Sequence, residues 1–436
     1  MSRFTYDDAV AALSSYSAQA WRHGLDRMEE FCSRLGVPHG GDTEFFHVGG
    51  TNGKGSTCAF IESLIRHQGY TTGATYSPYV YILRERFQAN GLLIPVRDFA
   101  SLVERMIPVA EELKATDFGG PSEFEFKTAL AFLYWQKQRV DTAVLEVGLG
   151  GRLDSTNIVT PQVSVIVSIG RDHVHVLGDT LEEIAEQKAG IIKPGVPSII
   201  GRMEDGPRQV IERIAAEKES PLWRMGYELA IDGDREAGYT LKHPGGSTYF
   251  GVPKRLPGPI QAHNAGLAIA SLIATNHIKD EGKLIEGMAH AWLPGRCQVV
   301  PNGEQTWVFD GAHNPPAAEA LTLALPEITN KPWTIIIGML ADHSTDGLIE
   351  SLAPYAAEFR CVPIDWHRAR TPQEIAERVT ELGFSGSAYD SIEEATQSIA
   401  TEHVLVTGSF YLLKEVAETT GLWNRVIRPP DALFET

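Results

Sequence analysis

Cysteine is scarce in this chain of 436 residues: Cys32, Cys58, Cys297 and Cys361 stand far apart, with no C-x-x-C pair. Neither a zinc-ligand spacing nor a disulfide scaffold can be built from them, so reduced thiols are expected. No run of 18 apolar residues occurs, which argues against a membrane-spanning helix. The opening segment has two acids, Asp7 and Asp8, and no apolar core, so no signal peptide is expected and the protein reads as cytoplasmic. Positive charge is also in deficit, with 38 Lys and Arg against 56 Asp and Glu, a net charge of −18. Such a field repels phosphate backbones and anionic lipid, which argues against nucleic-acid and membrane-surface partners. A small anionic ligand stays compatible, because a helix N-terminus acts locally. No fixed-period repeat or low-complexity tract is found.

What is present fits an ordinary folded protein: 43% apolar residues, 22% charged and 9% aromatic, which excludes disordered, collagen-like and coiled-coil classes. The length exceeds what one core usually supports. Strand-like runs alternate with helical patterns. Phe45–Val48 reads as a strand leading into glycines, and Ser56–Arg66 as a helix. Thr128–Gln138 is a second helix, followed by a buried strand at Thr142–Val147. Val163–Ile169 is a further strand, Leu181–Ile191 a helix capped by Asp179 or Thr180, and Val196–Ile200 a strand. This order predicts an α/β fold whose mostly parallel sheet is flanked by helices. Residues 226–256 read as a hairpin around Pro244-Gly245-Gly246, and Pro294-Gly295 as a hinge. Strands at 306–309, 334–337, 359–363 and 404–407 then predict a smaller Rossmann-like α/β domain. The expected division is 1–294 and 295–436.

The sharpest motif is Gly50-Thr51-Asn52-Gly53-Lys54-Gly55-Ser56, between a strand and a helix. Its glycines let several N–H groups converge on one anion, the helix adds its positive terminus, and Lys54 supplies a mobile cation. It departs from the usual P-loop pattern, because Val48 stands where the first glycine would be and Gly55 follows the lysine. A nucleotide triphosphate is the expected ligand; a glycine-rich turn holding nothing is the plain alternative. Gly148-Leu149-Gly150-Gly151 also follows a strand but lacks the third glycine and continues as a polar loop, which disfavours a dinucleotide cofactor and a dehydrogenase. Glu146, near the end of an apolar strand and opening into that loop, suits a ligand-binding carboxylate. The plain alternative is a buried acid paired with Arg152. A lone His173 is usually structural, His175 reads as a surface residue, and Lys188 reads as a solvated lysine beside Glu182, Glu183 and Glu186.

Taken in order, the loop GTNGKGS, Ser77-Pro78-Tyr79, Glu85-Arg86-Phe87, Glu146–Asp154, Asp172-His173, Glu186–Gly195, Pro294-Gly295-Arg296, Asp310–Pro315 and Gly408–Tyr411 resemble folylpolyglutamate synthase and dihydrofolate synthase, a branch of the Mur-ligase superfamily. The resemblance runs from Trp21 to about Glu415. It implies ATP-dependent amide formation through an acyl phosphate. L-glutamate is the amine, and dihydropteroate or the γ-carboxylate of a tetrahydrofolate-type substrate is the acceptor. It also implies Mg2+, two ions, with Ser77, Glu146 and His173 at the metal, and Lys54, Lys188 and His173 as catalytic residues. By the same resemblance Lys188 is carbamylated. ATP is expected on Gly50–Ser56, Asn264, Arg296, Asp310 and His313, with Ile260 departing from the family histidine and Gln261 retained. Read without the family, Arg296 is equally a surface residue. The resemblance further implies that ATP bridges both domains and that the linker near Pro294 couples closure to catalysis.

The acceptor pocket implied by the resemblance lies at Gly24-Leu25-Asp26-Arg27, Ser122-Glu123-Phe124-Glu125 and Leu153-Asp154-Ser155. Phe124 suits stacking on a pterin or aminobenzoyl ring; Phe124 and Phe126 are equally ordinary core. His343 replaces a lysine of the family's usual pattern, with a change in glutamate or phosphate affinity as the implied consequence. The retained acceptor segments favour a bifunctional enzyme, and a monomer is expected. A Mur-type ligase acting on a nucleotide-sugar peptide is disfavoured because only 49 residues precede the phosphate loop. A P-loop regulatory protein without ligase activity is the rival from another class.

Overall fold

The computed structural model describes residues 4–18, 24–341 and 345–427. Trp21 and His343 lie outside the described residues. The chain forms two compact units. The first holds residues 1–79, 84–251 and 262–291; the second holds 80–83, 252–261 and 292–436. Two short upstream segments are therefore counted with the C-terminal unit, which a single cut at 294/295 does not describe. Among the described residues no helix is long and apolar enough to cross a membrane.

The first unit is built on β1 (Glu44–Gly49), β2 (Thr72–Thr75), β3 (Gln88–Ala89), β4 (Leu92–Leu93), β5 (Thr142–Glu146), β6 (Val163–Ile166), β7 (Ser198–Ile200) and β8 (Leu222–Arg224). They form one sheet in the order β4-β3-β2-β5-β1-β6-β7-β8. Every pairing from β2 to β8 is parallel, while β3 and β4 add an antiparallel edge. The central strands are buried along their whole length, which explains why Ala143–Leu145 and Val163–Ile166 read as apolar runs without alternation. Residues 226–256 form a three-stranded antiparallel sheet, β9 (Ala230–Asp234), β10 (Gly238–His243) and β11 (Gly246–Phe250), one strand more than a hairpin.

The second unit carries β12 (Gln298–Asn302), β13 (Gln305–Phe309), β14 (Trp333–Ile337), β15 (Ala356–Cys361), β16 (Gly386–Ala388) and β17 (His403–Thr407) in the order β12-β13-β17-β14-β15-β16. Only β12 runs antiparallel to its neighbour. Helices Pro315–Ile328, Thr345–Leu352 and Pro372–Glu381 contribute buried residues to one core around Trp333, Ile335 and Ile337.

Candidate active site

Open parallel sheets present their strand carboxyl ends to ligands. In the first unit β1 and β5 are neighbours, with Val48 in register with Glu146. The loop leaving β1 and the loop leaving β5 therefore start side by side.

The loop after β1 is held by its own backbone and by the segment after β6. Thr51 N–H donates to Ser168 O at 2.9 Å, and Asn52 N–H to Ser168 Oγ at 3.0 Å. Thr51 Oγ1 donates to Gly170 O at 3.1 Å. Gly53 has φ +81°, and a Cβ there would lie 2.8 Å from Asn264 Oδ1 and 2.9 Å from Val167 Cγ1. Only glycine fits this approach. The helix after the loop, Lys54–His67, starts at Lys54 itself, two residues earlier than the apolar pattern suggests. Gly50 to Ser56 and Asn264 are thus brought together. Lys54 Nζ donates to Thr51 O at 3.0 Å, so the cation folds back over the loop at the helix N-terminus.

Lys188 is buried, contrary to its reading as a solvated lysine. Helix Leu181–Ala189 turns Glu182, Glu183 and Glu186 outward, while Lys188 shares its inner face with Ile184, Ala185 and Ala189. Its cap is Thr180, in a capping box with Glu183. Lys188 Nζ donates to Gly50 O at 3.0 Å. Burial first, then the neighbouring Lys54 charge, pulls its ammonium down to about 7. The unfolded chain thus binds more protons than the folded chain between about pH 7 and 10.5, and stability rises with pH across that window. In bicarbonate-free buffer, which keeps the lysine unmodified, urea midpoints of the wild type are expected to climb from about pH 7 to about pH 9. Lys188→Met should flatten that slope.

Glu146 is buried at the end of β5 and accepts Ser77 N–H at 2.9 Å. Arg152, its suggested partner, is exposed. His173 is also exposed, in a left-handed conformation at φ +49°, with its Nε2 3.7 Å from Asp172 Oδ1. His175 is exposed too. Ser77 and Glu146 are thus brought together, whereas His173 lies beside Asp172. Among the described residues no three His, Cys, Asp or Glu side chains gather as a metal-binding group. One buried carboxylate beside a hydroxyl fits a hard cation that takes its remaining ligands from phosphate oxygens and water.

The loop after β5 is organised by Asp154. Its Oδ2 accepts the N–H groups of Gly148 at 3.0 Å and Leu149 at 2.8 Å, and its Oδ1 accepts Thr156 N–H at 3.0 Å and Thr156 Oγ1 at 2.5 Å. Burial pushes this carboxyl up and those hydrogen bonds oppose the rise. Behind it, His47 Nε2 lies 2.8 Å from Thr156 Oγ1; burial, with Lys193 nearby, drives that imidazole down to about 3, so it is neutral.

A cavity of about 420 Å³ opens against this loop, within the size range of small-ligand sites. Gly24, Leu25, Arg27, Ser122, Phe124, Glu125, Leu153, Asp154 and Ser155 all line it, as does Ser77; Asp26 and Glu123 do not. Met28, Val176 and Leu177 also line it and carried no sequence signal; Gln187, from the Glu186–Gly195 segment, lines it too. Phe124 is half-buried in this wall, whereas Phe126 is fully buried core. Ser122 and Glu125 form the capping box of helix Glu123–Gln138, and Arg27 pairs with Glu125 through Nε at 3.0 Å and Nη2 at 2.8 Å. A Cβ on Gly148 would lie 2.4 Å from Phe124 Cζ. Gly148→Ala is therefore expected to displace the ring and raise the KM of a cavity-bound substrate on the order of tenfold, with the KM for ATP unchanged. Steady-state kinetics with each substrate varied in turn checks this.

In the second unit, Asp310 follows β13 and is half-buried. Its carboxylate accepts Cys297 N–H at 2.6 Å and Ala312 N–H at 2.8 Å; burial raises its pKa and Arg296 counters. The Arg296 guanidinium sits 4.3 Å from the Phe410 ring centroid. His313 lies edge-on to the same ring at 6.0 Å and its Nδ1 is 2.7 Å from Gly311 O. Arg296 is half-buried; it and His313 both approach Phe410, and Asp310 is an electrostatic neighbour of Arg296.

Two family models match the chain: the Mur ligase middle domain over residues 48–272 and the Mur ligase glutamate ligase domain over residues 295–410. The dihydrofolate synthase/folylpolyglutamate synthase of Bacillus subtilis is 35% identical over 94% of this chain and 98% of its own length. The solved structure of E. coli FolC in complex with DHPP and ADP superposes with a TM-score of 0.85 at 31% identity, covering 96% of this chain and 98% of that one. That of the bifunctional folylpolyglutamate synthase/dihydrofolate synthase of Yersinia pestis, complexed with AMPPNP and Mn ion, gives 0.84 at 29% identity, covering 96% and 98%. A glycine loop with its lysine, a buried strand-end glutamate and an adjoining cavity thus occur in a chain that aligns almost end to end with these enzymes, and the chain belongs to the folylpolyglutamate synthase/dihydrofolate synthase family of Mur-type ligases.

Proposed function

We infer that this chain is an ATP-dependent ligase that joins L-glutamate to dihydropteroate and to the γ-carboxylate of reduced folates, releasing ADP and phosphate. One observation carries the reading: Ser77 both lines the acceptor cavity and donates to Glu146, whose strand lies beside the strand feeding the phosphate loop. A carboxylate held in the cavity is thereby directed toward a phosphate held on the loop. The reaction needs two anions to meet. The acceptor carboxylate oxygen attacks the γ-phosphorus, the bond to the β-phosphate oxygen breaks, and ADP leaves. The glutamate amine then attacks the acyl carbon, loses a proton, and phosphate departs with the acceptor's oxygen.

Within that scheme the residues divide the work. The N–H groups of Gly50–Ser56 and the helix terminus hold the polyphosphate, and Lys54 follows the transferred group. We assign nucleotide contacts to Asn264 and, in the second unit, to Arg296, Asp310 and His313. Ser77 and Glu146 would hold a divalent ion, Mg2+ in our reading, which when bound supplies charge neutralisation on the phosphates. His173, exposed beyond β6, is assigned to the same region. Lys188, neutral in part near pH 7, is suited to take up carbon dioxide as a carbamate, which would turn a buried cation into a carboxylate. In the cavity we assign the pterin to Phe124 and the Asp154 loop, with Gly24, Leu25, Arg27, Ser122, Glu125, Leu153 and Ser155 around it. Asp26 and Glu123, outside the lining, are assigned flanking roles. We further propose that the protein is cytoplasmic and acts as a monomer.

The test is ADP release by the purified protein with Mg2+, ATP and L-glutamate, run in parallel with dihydropteroate and tetrahydrofolate. Glutamate-dependent release with both acceptors is expected. Nucleotide binding without release with either acceptor would favour the regulatory-protein alternative and overturn the assignment.

A further inference from the structure

The Glu85-Arg86-Phe87 motif has no part in the scheme so far. Arg86 is buried, only 8% exposed, in a short 3-10 turn, Leu83–Arg86. Its Nη1 donates to Ser77 Oγ at 3.2 Å, and its guanidinium carbon lies 5.0 Å from the centroid of the Phe124 ring. Ser77 and Phe124 both line the cavity, whereas Arg86 does not. It stands behind the wall, touching the aromatic residue at one place and the phosphate-side hydroxyl at another. The carboxylates of Glu146, Asp154 and Glu123 are its anionic neighbours. A guanidinium can do both tasks at once because it is planar, with an apolar face for a ring and N–H donors along its edge. An ammonium would balance the same charges and do neither well.

We propose that Arg86 is a positioning residue that fixes the separation between the acceptor's aromatic platform at Phe124 and the phosphate end of the site at Ser77. This rests on the ligase reading above. It assigns Arg86 no contact with substrate. With the guanidinium in place, the ring of a bound pterin and its reacting carboxylate are held at a set span from the loop. Without it Phe124 is free to tilt and Ser77 to rotate.

The experiment compares wild type with Arg86→Lys and Arg86→Gln. Dihydropteroate affinity is measured by calorimetry without nucleotide, ADP affinity without acceptor, and thermal midpoints are taken alongside. Both variants are expected to bind dihydropteroate about tenfold more weakly and to bind ADP as the wild type does. Full recovery by Arg86→Lys would reduce Arg86 to charge balance for Glu146 and Asp154 and overturn the proposal. Equal loss of both ligands, or unchanged dihydropteroate affinity, would overturn it as well. A wild type that binds no dihydropteroate would instead count against the ligase reading. Should Arg86→Gln fail to fold, Phe124→Leu, which removes the platform while leaving Arg86 charged, should reproduce the selective loss; dihydropteroate affinity unchanged in Phe124→Leu would overturn the proposal.

Discussion

Lys54→Ala should lower kcat by about a thousandfold or more while leaving the fold intact. The side chain is half-buried, and its hydrogen bond goes to the loop carbonyl of Thr51, so its removal leaves no buried acid without a partner. Thr51 and Asn52, which shape the loop, are held by Ser168 and Gly170 rather than by the lysine. What is lost is a mobile cation at the point where charge builds up during phosphoryl transfer. Single-turnover measurement of ADP formation, with circular dichroism and a thermal melt as controls, separates this from misfolding. A folded Lys54→Ala protein turning over at the wild-type rate would remove the loop from the mechanism.

Arg27→Met is expected to act on stability first. Arg27 and Glu125 form a two-pronged pair whose side chains are each 8% exposed. Removing the arginine leaves a carboxylate that is buried and is also tied to the start of helix Glu123–Gln138 through Ser122 N–H at 2.7 Å. Stranding one partner of a buried ion pair typically costs about 3–5 kcal/mol. Equilibrium urea unfolding should report a loss of that size. Adding Glu125→Gln should restore much of it, because glutamine keeps the cap acceptor without the charge. An Arg27→Met protein as stable as the wild type would mean the pair adds nothing to the fold.

The strand-loop-helix geometry around Gly50–Ser56 was legible because its signal is local: glycines, a lysine and a strand-to-helix transition lie within seven residues. The alternating strands of both units were legible for the same reason, their apolar runs being buried on both faces. For Lys188 the plain solvated reading rests on three acidic neighbours in sequence. The helical period shows otherwise, since Lys188 lies four residues after buried Ile184 and three after Ala185. Ser122–Glu125 was read only as acceptor contact, yet S-x-x-E is also a capping box, which moves the helix start from Thr128 to Glu123. The edge strand β12 carries Pro301 between polar ends, and β3 and β4 have two residues each, so periodicity had nothing to register. Helix Val96–Lys114 went unread, and it contains Pro108. Arg86 lies in a motif the sequence does show, but its link to Ser77 and Phe124 joins residues far apart in sequence, which no local pattern conveys.

The shared position of Ser77, between cavity and phosphate end, implies that the acceptor carboxylate itself receives the phosphoryl group. Dihydropteroate labelled with oxygen-18 in its carboxylate tests this most directly. Mass analysis of the inorganic phosphate formed with ATP and L-glutamate should find one labelled oxygen per turnover. Unlabelled phosphate, produced at the same rate as the amide, would contradict the account.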